Sequence, residues 1–395
     1  MSSASDGPAK LSVEVRAGNH DRESCPVSFD LGFGLPPRKT IKLYELGSNE
    51  PERVSVGSCS GCCSESAVVS LIVDRLAAGL TRRYQAEIVD SGGCCDCGCG
   101  GSGVSLTHVP GSRVDLEIGG KLFTSYVVKE GIARPYCYPI IGPGGVGMTN
   151  LGPSDHPHHR SMYVAQGEVN GHDNWSELEG HACTVNKSLE VVAQGAVMGA
   201  LRAAGDWVTA SGQPILEERV CLCTWNLPGS ARLLDWEITW AARYGGVFLG
   251  DTKEAGTLAV RVAESMEGRY TGLITNGYGG VTERETWGKR APWCDYSGEV
   301  DGRKVGLAIF DHPSNLRYPT HWHVRDYGLF TVNQWGIHDF TGDWAQRGDY
   351  ALPAGQELRF RFRVYIHEGG ASEARVGDRF HDWATPPDVA VTVQE

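Results

Sequence analysis

The residues best equipped for chemistry lie in one short polar run, Asp155-His156-Pro157-His158-His159-Arg160, followed by Glu168, Asp173 and Trp175. In an extended segment alternate side chains share a face, so His156 and His158 point one way and His159 the other. Three imidazoles and a guanidinium this close together are poor core material, because each needs a buried partner. Imidazoles change charge near neutral pH, so the run suits proton transfer, with His158 or His159 as base or acid. The plainer alternative is a solvated, histidine-rich loop.

A second cluster runs Asp311-His312-Pro313-Ser314-Asn315, then Arg317, His321-Trp322-His323, Arg325, Asn333 and His338. His323 is a candidate second acid. The pairs His156/His158 and His321/His323 could meet across a sheet, and a divalent ion held by His156, His158 and His323 is the alternative cofactor. Such pairs also arise by chance in a chain with 13 histidines. Between the clusters, Asp251-Thr252-Lys253-Glu254 is bounded by glycines. An adjacent Lys and Glu are usually a solvated pair, but in a cleft Lys253 and Glu254 could act as acid/base partner or electrostatic stabiliser. A third stretch, Thr286-Trp287 through Trp293-Cys294-Asp295-Tyr296, interleaves aromatic faces with polar heads. Sugars present apolar C–H faces beside ordered hydroxyls. Trp175 and Trp293 are therefore candidate stacking faces, with Arg160, Asp173, Asn276, Asp295, His312, Arg317 and Asn333 as candidate hydroxyl ligands. For any single Trp the ordinary role is core packing.

The elements that must position these groups read as strands. Period-two alternation recurs at Leu11–Val15, Val69–Leu71, Val114–Ile118 and Leu234–Trp240, and Thr257–Val262 is a further strand. Helical spacing is confined to two candidates, Val73–Leu80 and Ala371–Trp383. With 52 glycines and 19 prolines cutting the chain into short segments, the fold class is all-β and antiparallel. A length of 395 residues calls for a small unit beside a large one, or for one large sandwich, and the composition shift favours the former. The small unit is expected over residues 1–127, the second, larger one over 128–395. Ten of 11 tryptophans fall between Trp175 and Trp344, and 11 of 13 histidines lie at or after His156, so the chemistry belongs to the second unit.

Composition excludes some partners. Acidic residues outnumber basic ones, 48 to 36, and the basic ones are scattered, which argues against nucleic acid. No apolar run approaches the roughly 20 residues needed to span a bilayer, and Met1–Lys10 has no apolar core of a secretory signal. A soluble cytoplasmic protein is expected. Of the 13 cysteines, eight (Cys25, Cys59, Cys62, Cys63, Cys94, Cys95, Cys97 and Cys99) fall in the first hundred residues. In a reducing compartment they suggest a metal site rather than disulfides, although the second cluster lacks the usual C-x-x-C knuckle.

Several of these segments, in order, resemble one family. They are Arg134-Pro135-Tyr136, the run from Pro139 to Thr149, Asp155–Arg160, Asn170–Trp175, Asp251–Glu254, Asn276-Gly277, Trp293–Tyr296, His312–Asn315, Trp322-His323 and Tyr327–Phe330. Together they look like the PmoA-like family of bacterial proteins, over most of the chain after about Gly131. That family's inherited label, methane oxygenase, does not suit a chain without spanning helices. The resemblance implies instead a β-supersandwich similar to galactose mutarotase, in a family that keeps company with sugar oxidoreductases. The cysteine-rich loops depart from the pattern. The expectation is therefore an enzyme acting on a glycoside or keto-sugar by proton abstraction and donation, as in epimerisation, β-elimination or hydration. A metal-dependent sugar enzyme and a non-catalytic carbohydrate-binding protein are the alternatives.

Overall fold

A computed structural model describes residues 10–57, 66–91 and 102–393. Two eight-stranded antiparallel sheets dominate it. The first, the site sheet, runs His321–Val324, Leu329–Asn333, Ala255–Arg261, Met162–Gln166, Tyr136–Cys137, Lys121–Val127, Arg113–Ile118 and Val104–Val109, in that spatial order. The second, the cover sheet, runs Cys183–Ala193, Met198–Val208, Pro214–Trp225, Arg232–Ala241, Glu357–Glu368, Arg303–Asp311, Trp293–Val300 and Leu273–Asn276. They pack face to face around one core, to which Met162, Leu258, Val260, Trp322 and Phe330 contribute from one side and Trp207, Leu222, Trp236, Trp240, Phe360 and Phe362 from the other. The protein is thus an all-β antiparallel supersandwich with a smaller β-sandwich beside it.

Alternation along each strand decides what faces where. In Glu357–Glu368 the residues Phe360, Phe362, Val364 and Ile366 enter the core, while Arg359, Arg361 and Arg363 take the opposite face. In His321–Val324, Trp322 and Val324 enter the core, which sends His321 and His323 to the outer face of the site sheet. The outer face of the cover sheet has its own apolar layer, with Cys223, Trp225, Phe310 and Tyr365 packed under Phe380 and Trp383 of the helix Val376–Ala384.

The smaller sandwich pairs the sheet Asp388–Val393, Lys10–Arg16, Thr81–Asp90 and Lys39–Glu45 with the sheet Arg22–Asp30, Val68–Leu76 and Val54–Val56. Its core holds Leu11, Val13, Val15, Phe29, Leu71 and Tyr84. Two details differ from the sequence-based expectation. The strands over 104–127 are hydrogen-bonded into the site sheet, and the last strand, Asp388–Val393, returns to pair with Lys10–Arg16. The division at residue 127 therefore does not coincide with the sheets. Val73–Leu80 is no helix: Val68–Leu76 is a strand paired with Arg22–Asp30, as its β-branched residues favour. The second helix candidate, Ala371–Trp383, overlaps the helix at Val376–Ala384. Cys25 is buried in the small core, which pushes its thiol up to about 12. The cysteine clusters at 59–63 and 94–99 lie outside the described residues.

Candidate functional site

The polar groups gather on the outer face of the site sheet, where alternation exposes a face that is not needed for the core. Arg261 ends the central strand Ala255–Arg261, in which every residue is buried. Its Nη2 donates to Asp155 Oδ2 and to Glu267 Oε1, both at 2.9 Å. Its Nη1 lies 3.3 Å from His159 Nδ1. A guanidinium can only donate, so His159 accepts at Nδ1 and carries its proton on Nε2. Burial and the neighbouring His158, His156 and Arg261 push His159 down to about 2. Against the burial that would raise it, hydrogen bonds from His156 and Arg261 hold Asp155 at about 2. His159 is thus a neutral, fixed imidazole.

The rest of the histidine run stacks on this anchor. The His156 ring lies parallel to His159 at 4.7 Å and to Tyr327 at 4.8 Å. Arg261 and Arg325 both lie over the Tyr327 ring, at 5.3 and 5.4 Å. His158 is half-buried, edge-on to Trp175 at 6.1 Å, and burial lowers its pKa. Arg134 holds the run from beneath through the His158 carbonyl and Glu177, and Arg160 also binds Glu177.

Opposite the run stand Lys253, Glu254 and His323. The loop 252–255 is clamped by Asn333, whose Nδ2 donates to the carbonyls of Thr252, Lys253 and Ala255 and whose Oδ1 accepts from Trp335 and Gly336. A Cβ at Gly336 would come within 2.8 Å of the Lys253 backbone, so this approach requires glycine. Lys253 Nζ donates to Glu254 Oε1 at 2.8 Å, and this hydrogen bond raises the Lys253 pKa and keeps it cationic. His323 Nδ1 lies 2.8 Å from the Lys253 carbonyl. A carbonyl can only accept, so the proton sits on Nδ1 and Nε2 presents a lone pair. That Nε2 is buried and no protein group bonds it. Burial, only partly offset by the Lys253 carbonyl and Glu254, lowers His323 to about 4, so the base form prevails at neutral pH. The Glu254 carboxylate acts electrostatically on His158, His323 and Tyr327 alike. Trp287, edge-on to His323 at 6.4 Å, Phe340 at 6.1 Å and the Arg325–Glu283 ion pair at 3.0 Å complete the wall.

The site candidates thus form two groups on the outer face, His158 and His159 on one anchor and Lys253, Glu254 and His323 on the other, with Glu254 acting electrostatically on His158. The other sequence candidates are placed differently. Trp175 is buried beneath His158 and His159. Asp173 caps its own loop, accepting from Trp175 N, Ser176 N and Ser176 Oγ. Asn276 Oδ1 accepts from Tyr278 N and Gly280 N in a turn. Arg317 donates to the carbonyls of Gln334, Gly348 and Asp349. Trp293, Asp295 and His312 belong to the cover sheet or its loops: Trp293 packs with the outer apolar layer, Asp295 is buried against His367 at 2.8 Å, and His312 meets Trp383. Among the described residues no three His, Cys, Asp or Glu side chains are grouped to ligate an ion, so His156, His158 and His323 do not form a ligand set. Groups not proposed from the sequence include Arg261, Glu177, Glu267 and Glu283. Only Arg261 had a signal, as the single charge in the otherwise uncharged strand Ala255–Arg261.

A family model described as a family of unknown function, DUF6807, matches residues 113–381. No curated protein matches the chain. Among solved structures, the chain is similar to a protein in the glycosyl hydrolase family 38 from Enterococcus faecalis, with a TM-score of 0.46 and 10% identity over 99% of this chain and 48% of that one. An alpha-mannosidase from Enterococcus faecalis V583 gives a TM-score of 0.44 and 9% identity over 99% of this chain and 46% of that one. The chain spans about half the length of those two proteins. Among the described residues no helix is long and apolar enough to cross a membrane.

Proposed function

The chain belongs to the DUF6807 family, whose function is unknown, and from the site geometry we propose that it is an acid/base enzyme acting on a keto-sugar or glycoside. The observation that carries this reading is His323: one ring nitrogen is fixed by the Lys253 carbonyl, and the other is buried with no protein partner, behind Trp287 and Phe340, which must give way before a substrate carbon reaches it. In the proposed reaction Nε2 takes the proton from the carbon next to the sugar's carbonyl. The bonding pair moves to the carbonyl oxygen, where the Lys253 ammonium stabilises the resulting enolate. Reprotonation of that carbon from its opposite face by solvent, with His323 then releasing its proton, gives epimerisation, whereas expulsion of a β-oxygen that takes the His323 proton gives elimination. Trp287 offers an apolar face to the ring, and Glu254, Arg325 and His158 offer partners to its hydroxyls.

The test is proton NMR of keto-glycosides of gluco, galacto and manno configuration, incubated with the protein in deuterated water. Solvent deuterium is expected to enter at the carbon beside the carbonyl. In His323→Gln the rate is expected to fall about 10²-fold or more with the near-UV dichroism unchanged. Absence of exchange with every substrate, or full exchange in the variant, would remove the reading.

A further inference from the structure

Trp344 is the most exposed large hydrophobic side chain among the described residues, at 73%. It is not a loosely hung ring. One face lies on the His338 imidazole, 4.1 Å away and tilted by 31°. His338 is itself nearly buried, with Nδ1 2.8 Å from Asp251 Oδ1. The turn that carries Trp344 is cross-bonded throughout. Asp343 accepts from Ala345 N and from Gln346 Nε2. Arg347 makes two bonds to Asp349, and Gly348 N donates to Asp251 Oδ2. One side of the indole is therefore covered and held, and its exposure leaves the other side to solvent.

The same elements tie this ring to the site. Asp251, beneath His338, lies three residues from Glu254 on one loop, a span of at most about 10 Å. The short helix Ile337–Thr341 bears His338 on one side and Phe340, which packs on His323 and Trp287, on the other. Between them, Asp339 Oδ2 accepts from Lys253 N at 3.0 Å. A fixed aromatic plate is thus carried on a cross-bonded turn and joined to the reacting groups through the short helix Ile337–Thr341. Placing a large apolar side chain in water on a rigid turn contributes nothing to folding, whereas a pre-ordered ring saves a ligand the cost of ordering it.

We propose that Trp344 is the platform for a second, distal sugar unit, so that the substrate of this site is a disaccharide or longer glycoside rather than a free monosaccharide. The occupant is a pyranose, because a flat indole with one face open to solvent matches its apolar C–H face. This inference rests on the carbohydrate reading of the site.

The experiment measures affinity by saturation-transfer NMR for methyl glucosides, galactosides and mannosides and for disaccharides of the same sugars. Wild-type protein is expected to bind the best disaccharide about tenfold more tightly than its methyl glycoside. Trp344→Ala should abolish that advantage without changing methyl glycoside binding, and Trp344→Phe should restore part of it. Equal binding of the two ligands by wild type, or an equal loss on both in Trp344→Ala, overturns the distal platform alone. Binding of neither class by wild type overturns the carbohydrate reading and this inference with it.

Discussion

At the scale of single residues, the division of labour among the histidines follows from what bonds each ring nitrogen. His159 is bonded by a cation and held neutral deep in the cluster, so it orients its neighbours and is ill suited to carry a proton at neutral pH. His323 is bonded by a carbonyl and retains a basic nitrogen. A prediction about pH follows. The reactive form of His323 is the neutral one, present above its pKa of about 4 and lost as pH falls through that value. The rate of α-proton exchange is therefore expected to hold from pH 8 down to about 5 and to drop only below that. An acid limb centred on 6.5, the ordinary value of a free imidazole, and retained in His323→Gln would show that another imidazole is the base. Asp295 and His367 are a contrasting pair of titratable groups. They are both buried on the cover sheet and bonded to each other through Asp295 Oδ1 and His367 Nε2, while Asp295 Oδ2 is buried without a hydrogen-bond partner.

At the scale of elements, the site depends on how the loop 252–255 is fastened to the neighbouring strand. Asn333 ends the strand Leu329–Asn333 and binds three carbonyls of the loop and two N–H groups of the next turn. Asn333→Ala removes a hydrogen bond from five backbone groups, of which the Lys253 carbonyl keeps His323 Nδ1 and the Ala255 carbonyl keeps Thr331 Oγ1. Urea denaturation is expected to show a loss of about 2–4 kcal/mol, together with a fall in exchange rate beyond that explained by unfolded protein. A stable variant with undiminished rate would mean that the loop is held by other contacts. The D-H-P-H-H-R segment needs its own anchor, and Arg261 supplies it by joining Asp155, His159 and Glu267. Neither fastening is visible as a motif, because both join residues that lie far apart in the chain, 78 to 81 for Asn333 with the loop and over 100 for Arg261 with Asp155 and His159.

At the scale of the whole molecule, the sandwich core contains a carboxyl group that no cation faces closely. Glu218 is buried between the sheets, accepting from Trp240 Nε1 at 3.0 Å, and burial raises it from 4.5 to about 7. A raised carboxyl pKa stabilises the fold below the unfolded value, and that contribution is lost as pH rises through the folded one. Between pH 4.5 and about 7 the folded protein is thus expected to lose about 3 kcal/mol from this group. Glu218→Gln, which cannot ionise, should gain on the wild type by that amount between pH 4.5 and 8 in urea midpoints. A difference that does not vary with pH would show that the carboxyl ionises in the fold without penalty.

The sequence by itself determined the all-β class, because alternation and frequent Gly and Pro are local properties. It also marked the segments that bear His158, Lys253, Glu254 and His323, since clustered polar residues are costly in a core wherever they occur. Kinship with PmoA-like proteins remains a proposal beside the DUF6807 match. Only the tertiary structure decided that strands 104–127 complete the large sheet and that the last strand closes the small one, because strand pairing is set by distant partners. It also separated the site groups from their look-alikes. Asp173, Asn276 and Arg317 are the same residue types that bind hydroxyls, yet here each is engaged by backbone groups of its own or a neighbouring loop. A spacing pattern records which side chains are present; which of their hydrogen-bonding atoms are left free depends on the packing around them.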